Sequence, residues 1–399
     1  MRIKTRHRII YALLYPIVKP LFCILFNLRT ERFKPQDKND KNKAYLILAN
    51  HQSALDPVFV ALSFKKPIYY VTSDHVFRKG FLSSLLVYFF APIPKLKATL
   101  DISTIKEILS VTREGGMVGI FPEGNRSFNG APFPIPESTG KLVKRLVVPL
   151  ILYRIEGGYM SNPRWGRKMR RGLITGRCVR EVSTDELSAM SVDEINDLIV
   201  KTLYINDYEF QRSRLIKYKG KRRAEHIESI LYLCPNCHGI GSIKSRSNRF
   251  RCACGLDAAV NVYGFIENAP FETVLDWDNW QKEYLKVNLP NMINKSGGNE
   301  LIGDGNMSLY SVTRALKTQL VDTGRLALYP DKLVFSGKNK NYEFGLSEIS
   351  RLIIHGRQAM QFATAGGDFY ELKCLSPMSA VKYCDFFDIL KDIQAKRSD

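Results

Sequence analysis

Four short apolar runs punctuate the first half of the chain: residues 44–49 (AYLILA), 67–71 (PIYYV), 117–121 (MVGIF) and 147–153 (VVPLILY). Each is brief and almost continuous, which predicts strands buried on both faces. Between and after them, residues 81–90, 101–112 and 191–203 repeat apolar side chains at helical spacing, the last with Ile195, Leu198 and Ile199 on one face. Strands alternating with helices predict an α/β domain with a mainly parallel sheet and flanking helices. It is expected to close near Gln211.

Beyond about residue 300 the rhythm changes. Leu326, Leu328, Leu333, Phe335, Phe344, Leu346, Ile349, Phe362 and Tyr370 recur at near-alternate spacing, with turn signals at Pro330-Asp331 and Gly366-Gly367. Ser376-Pro377 is expected to open a helix carrying Val381, Cys384, Phe387 and Leu390 on one face. Cys374 and Cys384 read as core residues. Strands followed by one helix resemble the pleckstrin-homology and GRAM-like superfold, here over residues 300–396.

The amino terminus is different again. Residues 9–28 (IIYALLYPIVKPLFCILFNL) are apolar over a length that can span a bilayer, but Pro16, Lys19 and Pro20 interrupt the middle. With Arg2, Lys4, Arg6 and Arg8 in front, residues 1–30 are expected to form one or two helices lying in a membrane interface. A buried amphipathic hairpin is the alternative. No small-residue cleavage site follows, which disfavours a signal peptide.

At 399 residues and 45% hydrophobic, the chain has material for two or three cores. The formal net charge of +20 implies an anionic partner, either nucleic acid or the anionic cytoplasmic face of a membrane. Basic clusters at 164–171 and 212–223 carry much of it, the second reading as a linker over 212–230. Trp165, set among arginines, fits either a headgroup-level anchor or a core position. Of eight cysteines only Cys234, Cys237, Cys252 and Cys254 cluster, which argues for a reducing compartment over a disulfide framework.

Two strings carry the chemistry. In Asn50-His51-Gln52-Ser53-Ala54-Leu55-Asp56, an imidazole and a carboxylate lie five positions apart, directly after a strand, as a general base with its orienting acid. In Phe121-Pro122-Glu123-Gly124-Asn125-Arg126-Ser127, an acid, a turn-permitting glycine and an arginine suit a loop that holds an anionic substrate.

These strings resemble the signatures of the glycerophospholipid acyltransferases typified by the 1-acyl-glycerol-3-phosphate (lysophosphatidic acid) acyltransferases. Asn50, His51 and Asp56 match the first signature, and FPEGNRS matches the third with Asn125 where threonine is usual. Val147, Val148 and Pro149 match a fourth. The resemblance covers roughly residues 40–210 and implies an acyltransferase domain over 31–211. It implies that His51, assisted by Asp56, deprotonates an alcohol attacking a thioester of acyl carrier protein or coenzyme A. Glu123 and Gly124 are implied as acceptor-binding residues, and Arg126 is the best phosphate ligand because its fork makes two hydrogen bonds. The second signature is less well matched: Lys95 and Lys97 stand where arginine is usual.

Cys234-x2-Cys237 and Cys252-x-Cys254 have zinc-ribbon spacing, predicting a structural Zn2+ within residues 231–265, with redox-active or unligated thiols as the alternatives. The segment between them is basic but offers Phe250 as its single aromatic, which disfavours a nucleic-acid partner.

The expectation is an enzyme on the cytoplasmic face of a membrane, peripheral or monotopic. It would transfer a fatty acyl group to lysophosphatidic acid, forming phosphatidic acid. The rival is a membrane-bound adaptor using ribbon and tail, with an inactive first domain.

Overall fold

The computed structural model describes residues 3, 5–36, 43–73, 87–95, 102–313, 318–374 and 378–398. Lys97, most of the helix expected over 81–90, and Ser376-Pro377 lie outside the described residues. The chain divides into two compact units, Met1–Pro163 with Met169–Gly220, and Arg164–Lys168 with Lys221–Asp399.

The first unit is built on a seven-stranded sheet. Its strands are β1 (Leu28–Thr30), β2 (Tyr45–Ala49), β3 (Ile68–Ser73), β4 (Ile93–Lys95), β5 (Met117–Ile120), β6 (Leu150–Glu156) and β7 (Ile174–Val182), in the order β1-β7-β6-β2-β5-β3-β4. All neighbours pair in parallel except β6 and β7. Central β2 is buried along its whole length. Its alternate residues feed two cores, as the two-residue period of a strand requires. Leu46 and Leu48 face a cluster with side chains of helices Ile102–Arg113, Ser138–Leu146 and Val192–Leu203. Tyr45, Ile47 and Ala49 face the other, with helix Asp56–Ala61. Helix Val192–Leu203 starts at a capping box in which Ser191 and Glu194 satisfy each other's amides.

Because β2 to β6 are mutually parallel, their carboxyl ends emerge at one edge of the sheet. There β2 runs into Asn50-His51, β5 into the 121–127 loop and β6 into Gly157, while β4 ends at Lys95. Open α/β sheets place ligands at this edge.

Residues Thr5–Phe26 form one continuous helix with Pro16 and Pro20 inside it. The prolines each remove one ladder donor, and side-chain anchors hold the helix against the domain. The Tyr11 hydroxyl donates to the Phe64 carbonyl at 3.0 Å and that of Tyr15 to Leu62 at 3.1 Å, while Phe22 and Phe26 pack on the core. The opposite face is bare: Leu13, Ile17 and Ile24 are 64–67% exposed, with Ile9 and Leu21 continuing the stripe. By length and composition the helix can cross a membrane.

The second unit begins with a small antiparallel sheet, β8 (Ile243–Arg246), β9 (Arg249–Cys252), β10 (Asp257–Val260) and β11 (Ile266–Glu267). The long helix Val274–Ser296 follows, in a stretch to which the sequence pattern assigned no element. Then come seven antiparallel strands, β12 (Ile302–Val312), β13 (Thr318–Leu328), β14 (Lys332–Gly337), β15 (Asn341–Gly345), β16 (Ile349–His355), β17 (Ala359–Thr364) and β18 (Phe369–Cys374). Their order is β15-β14-β13-β12-β18-β17-β16, and helix Ala380–Ser398 ends the chain. Small sheet and tail share one core. Trp277 donates to the Leu233 carbonyl at 2.9 Å, the Tyr232 hydroxyl to Asp385 at 2.7 Å, and the Ser379 hydroxyl to the Ser229 carbonyl at 2.9 Å. Trp165 is 1% exposed, so its indole is no headgroup anchor; the adjacent Arg164 is buried too, its Nε donating to the Gly356 carbonyl at 2.8 Å.

Candidate active site

Asn50 ends β2 with both side-chain amide atoms committed: Nδ2 donates to the Ile155 carbonyl at 2.8 Å and Oδ1 accepts from the Ile155 amide at 2.7 Å. The strand end is thereby fixed against β6, and the next residue is His51. Its Nδ1 lies 2.9 Å from Asp56 Oδ2. Asp56 opens a short helix with Pro57 behind it and is fully buried. The same carboxylate accepts from the amides of Gln52 (2.6 Å) and Ser53 (2.8 Å) and from the Ser53 hydroxyl (2.6 Å). A carboxylate is acceptor only, so the imidazole proton sits on Nδ1 and Nε2 carries the lone pair in the neutral ring. Phe121 stacks on the ring at 4.4 Å between centroids, and Tyr70 stacks on Phe121 in turn. A histidine so clamped keeps one rotamer.

Glu123 is buried, with both oxygens taken by backbone amides: Oε1 by His51 at 2.9 Å and Oε2 by Phe133 at 3.1 Å. Burial pushes this carboxyl up to about 8, with the two amide bonds pulling the other way. Gly124 follows at φ +69, a conformation that a side chain resists, and a Cβ there would meet nothing within 4 Å. The loop then returns to the base, the Ser127 amide donating to the His51 carbonyl at 2.9 Å. Arg126 is half-buried immediately before that contact. The region forms a small pocket lined by His51, Gln52, Glu123, Ser127, Pro132 and Ile205 among others. Lys95 lies at the same sheet edge, three strands from β2, at the end of edge strand β4.

One group at the site carried no sequence signal. Asp207 is fully buried, accepts from the Gly157 amide at 2.9 Å and pairs with the Gln52 side chain, whose Oε1 accepts from the Gly158 amide at 3.0 Å. Burial raises its carboxyl well above the usual range, the Gly157 bond opposing and Asp56 adding to the rise. Asp207 thus ties the loop after β2 to the loop after β6. Gln52 sits inside the first string, but nothing in the sequence joins it to a residue 155 positions away.

In the second unit, Sγ atoms of Cys234, Cys237, Cys252 and Cys254 all lie within 4.8 Å of one another. Cys234–Cys254 and Cys237–Cys252 are each 3.6 Å apart. A tetrahedral ion at ~2.3 Å from each sulfur needs separations of about 3.8 Å, so these residues can hold a metal. His238 is turned elsewhere, stacking on Tyr284 at 4.5 Å.

Comparison with known proteins places the same region. The family model described as acyltransferase matches residues 29–155. The 1-acyl-sn-glycerol-3-phosphate acyltransferase of Saccharomyces cerevisiae is 26% identical over 183 residues, covering 42% of this chain and 58% of that protein. The enzyme of the same name from Borreliella burgdorferi is 23% identical over 126 residues, covering 31% and 50%. This chain thus spans only somewhat over half the length of these relatives. Among solved structures, the 1-acyl-sn-glycerophosphate (LPA) acyltransferase PlsC of Thermotoga maritima aligns at 17% identity and a TM-score of 0.41, covering 51% of this chain and 81% of that one. The family match ends at the carboxyl end of β6 and contains both strings, His51 with Asp56 and the loop at Glu123: residues 29–155, in the first unit, are similar to the acyltransferase family.

Proposed function

We propose that the chain transfers a fatty acyl group from a thioester of acyl carrier protein or coenzyme A to 1-acylglycerol 3-phosphate, forming phosphatidic acid. The observation that carries this reading is the 2.9 Å contact of His51 with a buried Asp56, at the ligand-binding edge of an acyltransferase-family domain. His51 Nε2 takes the proton of the acceptor hydroxyl as its oxygen attacks the thioester carbonyl. The C–S bond then breaks, and the imidazolium returns the proton to the leaving thiolate. Asp56 fixes the tautomer and stabilises the imidazolium. Such base catalysis supplies about 10²–10⁴ in rate, so positioning and oxyanion stabilisation supply the rest.

The loop amides divide between two tasks. Those of Gly124 and Ser127 are spent on Phe121 and His51 carbonyls, while among the described residues no acceptor meets the Asn125 amide. That amide is the loop's candidate oxyanion donor. Glu123, with both oxygens on amides, positions the loop and the base, and Gly124 permits the turn. Arg126 and Lys95 are proposed to hold the acceptor phosphate.

The apolar stripe from Ile9 to Ile24 supports seating on the cytoplasmic face of a membrane. The four cysteines are proposed to hold a structural Zn2+. The strand order and final helix of residues 300–396 support a pleckstrin-homology-like module. The test is purified full chain given labelled acyl donors of both kinds and a panel of lysolipids. His51→Ala should abolish transfer; full transfer by that variant overturns the reading.

A further inference from the structure

The hairpin of β8 and β9 carries an arrangement that a sheet does not adopt for stability. Lys244 pairs directly with Arg251, and Arg246 with Arg249. The period of two puts all four cations on one face, with Ser245 and fully buried Phe250 on the other. Like charges directly opposite each other are destabilising. Among the described residues a single carboxylate, Asp257 on β10, answers them, at 2.8 Å from Arg249 and 3.0 Å from Arg251. Among the described residues Lys244 and Arg246 meet no acid, and all four cations are exposed. Together with Ser247 and Asn248 they line an open concavity of about 380 Å³.

The face is held rigid from both ends. At the tip, Ser247 takes φ +60, and its carbonyl accepts from the Ala224 amide at 3.0 Å. Asn248 accepts there too, from the Arg223 amide through its side chain and from the Val260 amide through its carbonyl, each at 2.9 Å. At the base, Ile243 pairs with Cys252 of the four-thiol cluster. The backbone cannot splay, so the four cations stay on one face, where an anion seated between them offsets their repulsion.

We propose that this face is a binding site for the phosphomonoester headgroup of an anionic lipid. Adjacent strands lie ~4.8 Å apart and alternate residues ~7 Å apart, so four cations against one carboxylate, two of them meeting no acid, converge on an area the size of one phosphate group. A dianionic monoester complements that density better than a monoanionic diester. Nucleic acid is disfavoured because the face offers no aromatic for base stacking. The site extends the proposed function, whose substrate and product are both phosphomonoester lipids, and rests on it for the choice of lipid over soluble phosphate.

The test is sedimentation of the full chain with phosphatidylcholine vesicles containing phosphatidic acid, or phosphatidylserine at matched surface charge. Lys244→Gln with Arg246→Gln should weaken binding to the phosphatidic acid vesicles about 30-fold, at roughly fivefold per basic residue near an anionic surface. Binding to the phosphatidylserine vesicles should change several-fold less. The variant should melt no lower than wild type, since a repulsion is removed and no bond is lost. Unchanged binding, or equal loss on both vesicles, overturns the proposal. So does competition by inorganic phosphate as strong as by phosphatidic acid, or tighter binding to an oligonucleotide than to either vesicle. His51→Ala should bind as wild type does, so failure of this site and failure of the acyl-transfer reading are told apart.

Discussion

Asp56→Asn isolates the charge behind the base from the geometry that holds it. Asp56 makes four contacts, three of them on Oδ2: His51 Nδ1, the Gln52 amide and the Ser53 amide. An asparagine with its oxygen in that place keeps all three acceptor roles, and its amide can face the Ser53 hydroxyl, which then accepts. What goes is the negative charge 2.9 Å from a ring that becomes cationic during the reaction. A hydrogen bond to a charged group exceeds a neutral one by about 1–2 kcal/mol. The full charge–charge interaction at an effective dielectric of about 20 is about 4 kcal/mol at 4 Å. At 1.36 kcal/mol per decade these limits bracket a fall in kcat of roughly 10-fold to 1000-fold. The assay is continuous release of free thiol from the acyl donor with saturating lysolipid. KM for the acceptor should stay within about threefold, since Asp56 is behind the ring, and the melting temperature should fall by a few degrees at most. A variant retaining more than half of wild-type kcat, while folded, would show that the imidazole needs no anion and that His51 is not the base.

Other outcomes follow from neighbouring groups. Glu123→Gln tests a linkage: the folded carboxyl sits at about 8, above its ordinary 4.5, so the folded state holds the proton more tightly. Its stabilising contribution is therefore complete below pH 4.5 and lost as pH rises through about 8, and wild type should lose a few kcal/mol relative to the variant between those limits. Parallel pH profiles in denaturant titrations refute it. Gly124→Ala should cost about 1–2 kcal/mol through backbone strain alone, because the new methyl meets nothing, and Gly124→Asn should cost less. Removing metal with a strong chelator should release one zinc per chain, by elemental analysis, and lower the melting temperature of the second unit; an unchanged melt refutes a structural role. Leu13→Asp with Ile17→Asp should abolish sedimentation with neutral vesicles while leaving the fold intact, since both side chains are about two-thirds exposed.

What the sequence determined by itself was what depends on near neighbours. The runs at 44–49 and 117–121 became buried strands almost as read, and the run at 147–153 did so from Leu150 onward, Val147 instead ending the preceding helix in an exposed left-handed turn; alternation of strand and helix is enough to make a sheet mainly parallel. His51 and Asp56 are five residues apart across one turn, so their contact is local and the spacing announces it. The cysteine spacing is equally local within each pair, and a hairpin closes the gap between pairs.

The tertiary structure decided everything that joins distant residues. Glu123 reads as a loop acid facing substrate, yet its oxygens go to amides 72 and 10 residues away, because a strand neighbour of β2 delivers it beneath the base. Asp207 had no motif and emerges as the buried tie between two loops. The sequence left Trp165 open between a headgroup-level anchor and a core position, and the fold places it, with Arg164, in the interior. The helix Val274–Ser296 buries one stripe at helical spacing, Val274, Trp277, Asp278, Gln281, Leu285 and Leu289, but the polar Asp278 and Gln281 inside the stripe and the exposed Val287 outside it hide the period from hydropathy alone. The four cations of the β8–β9 hairpin were visible as composition, but which face they share is a matter of register, and register is set by the fold.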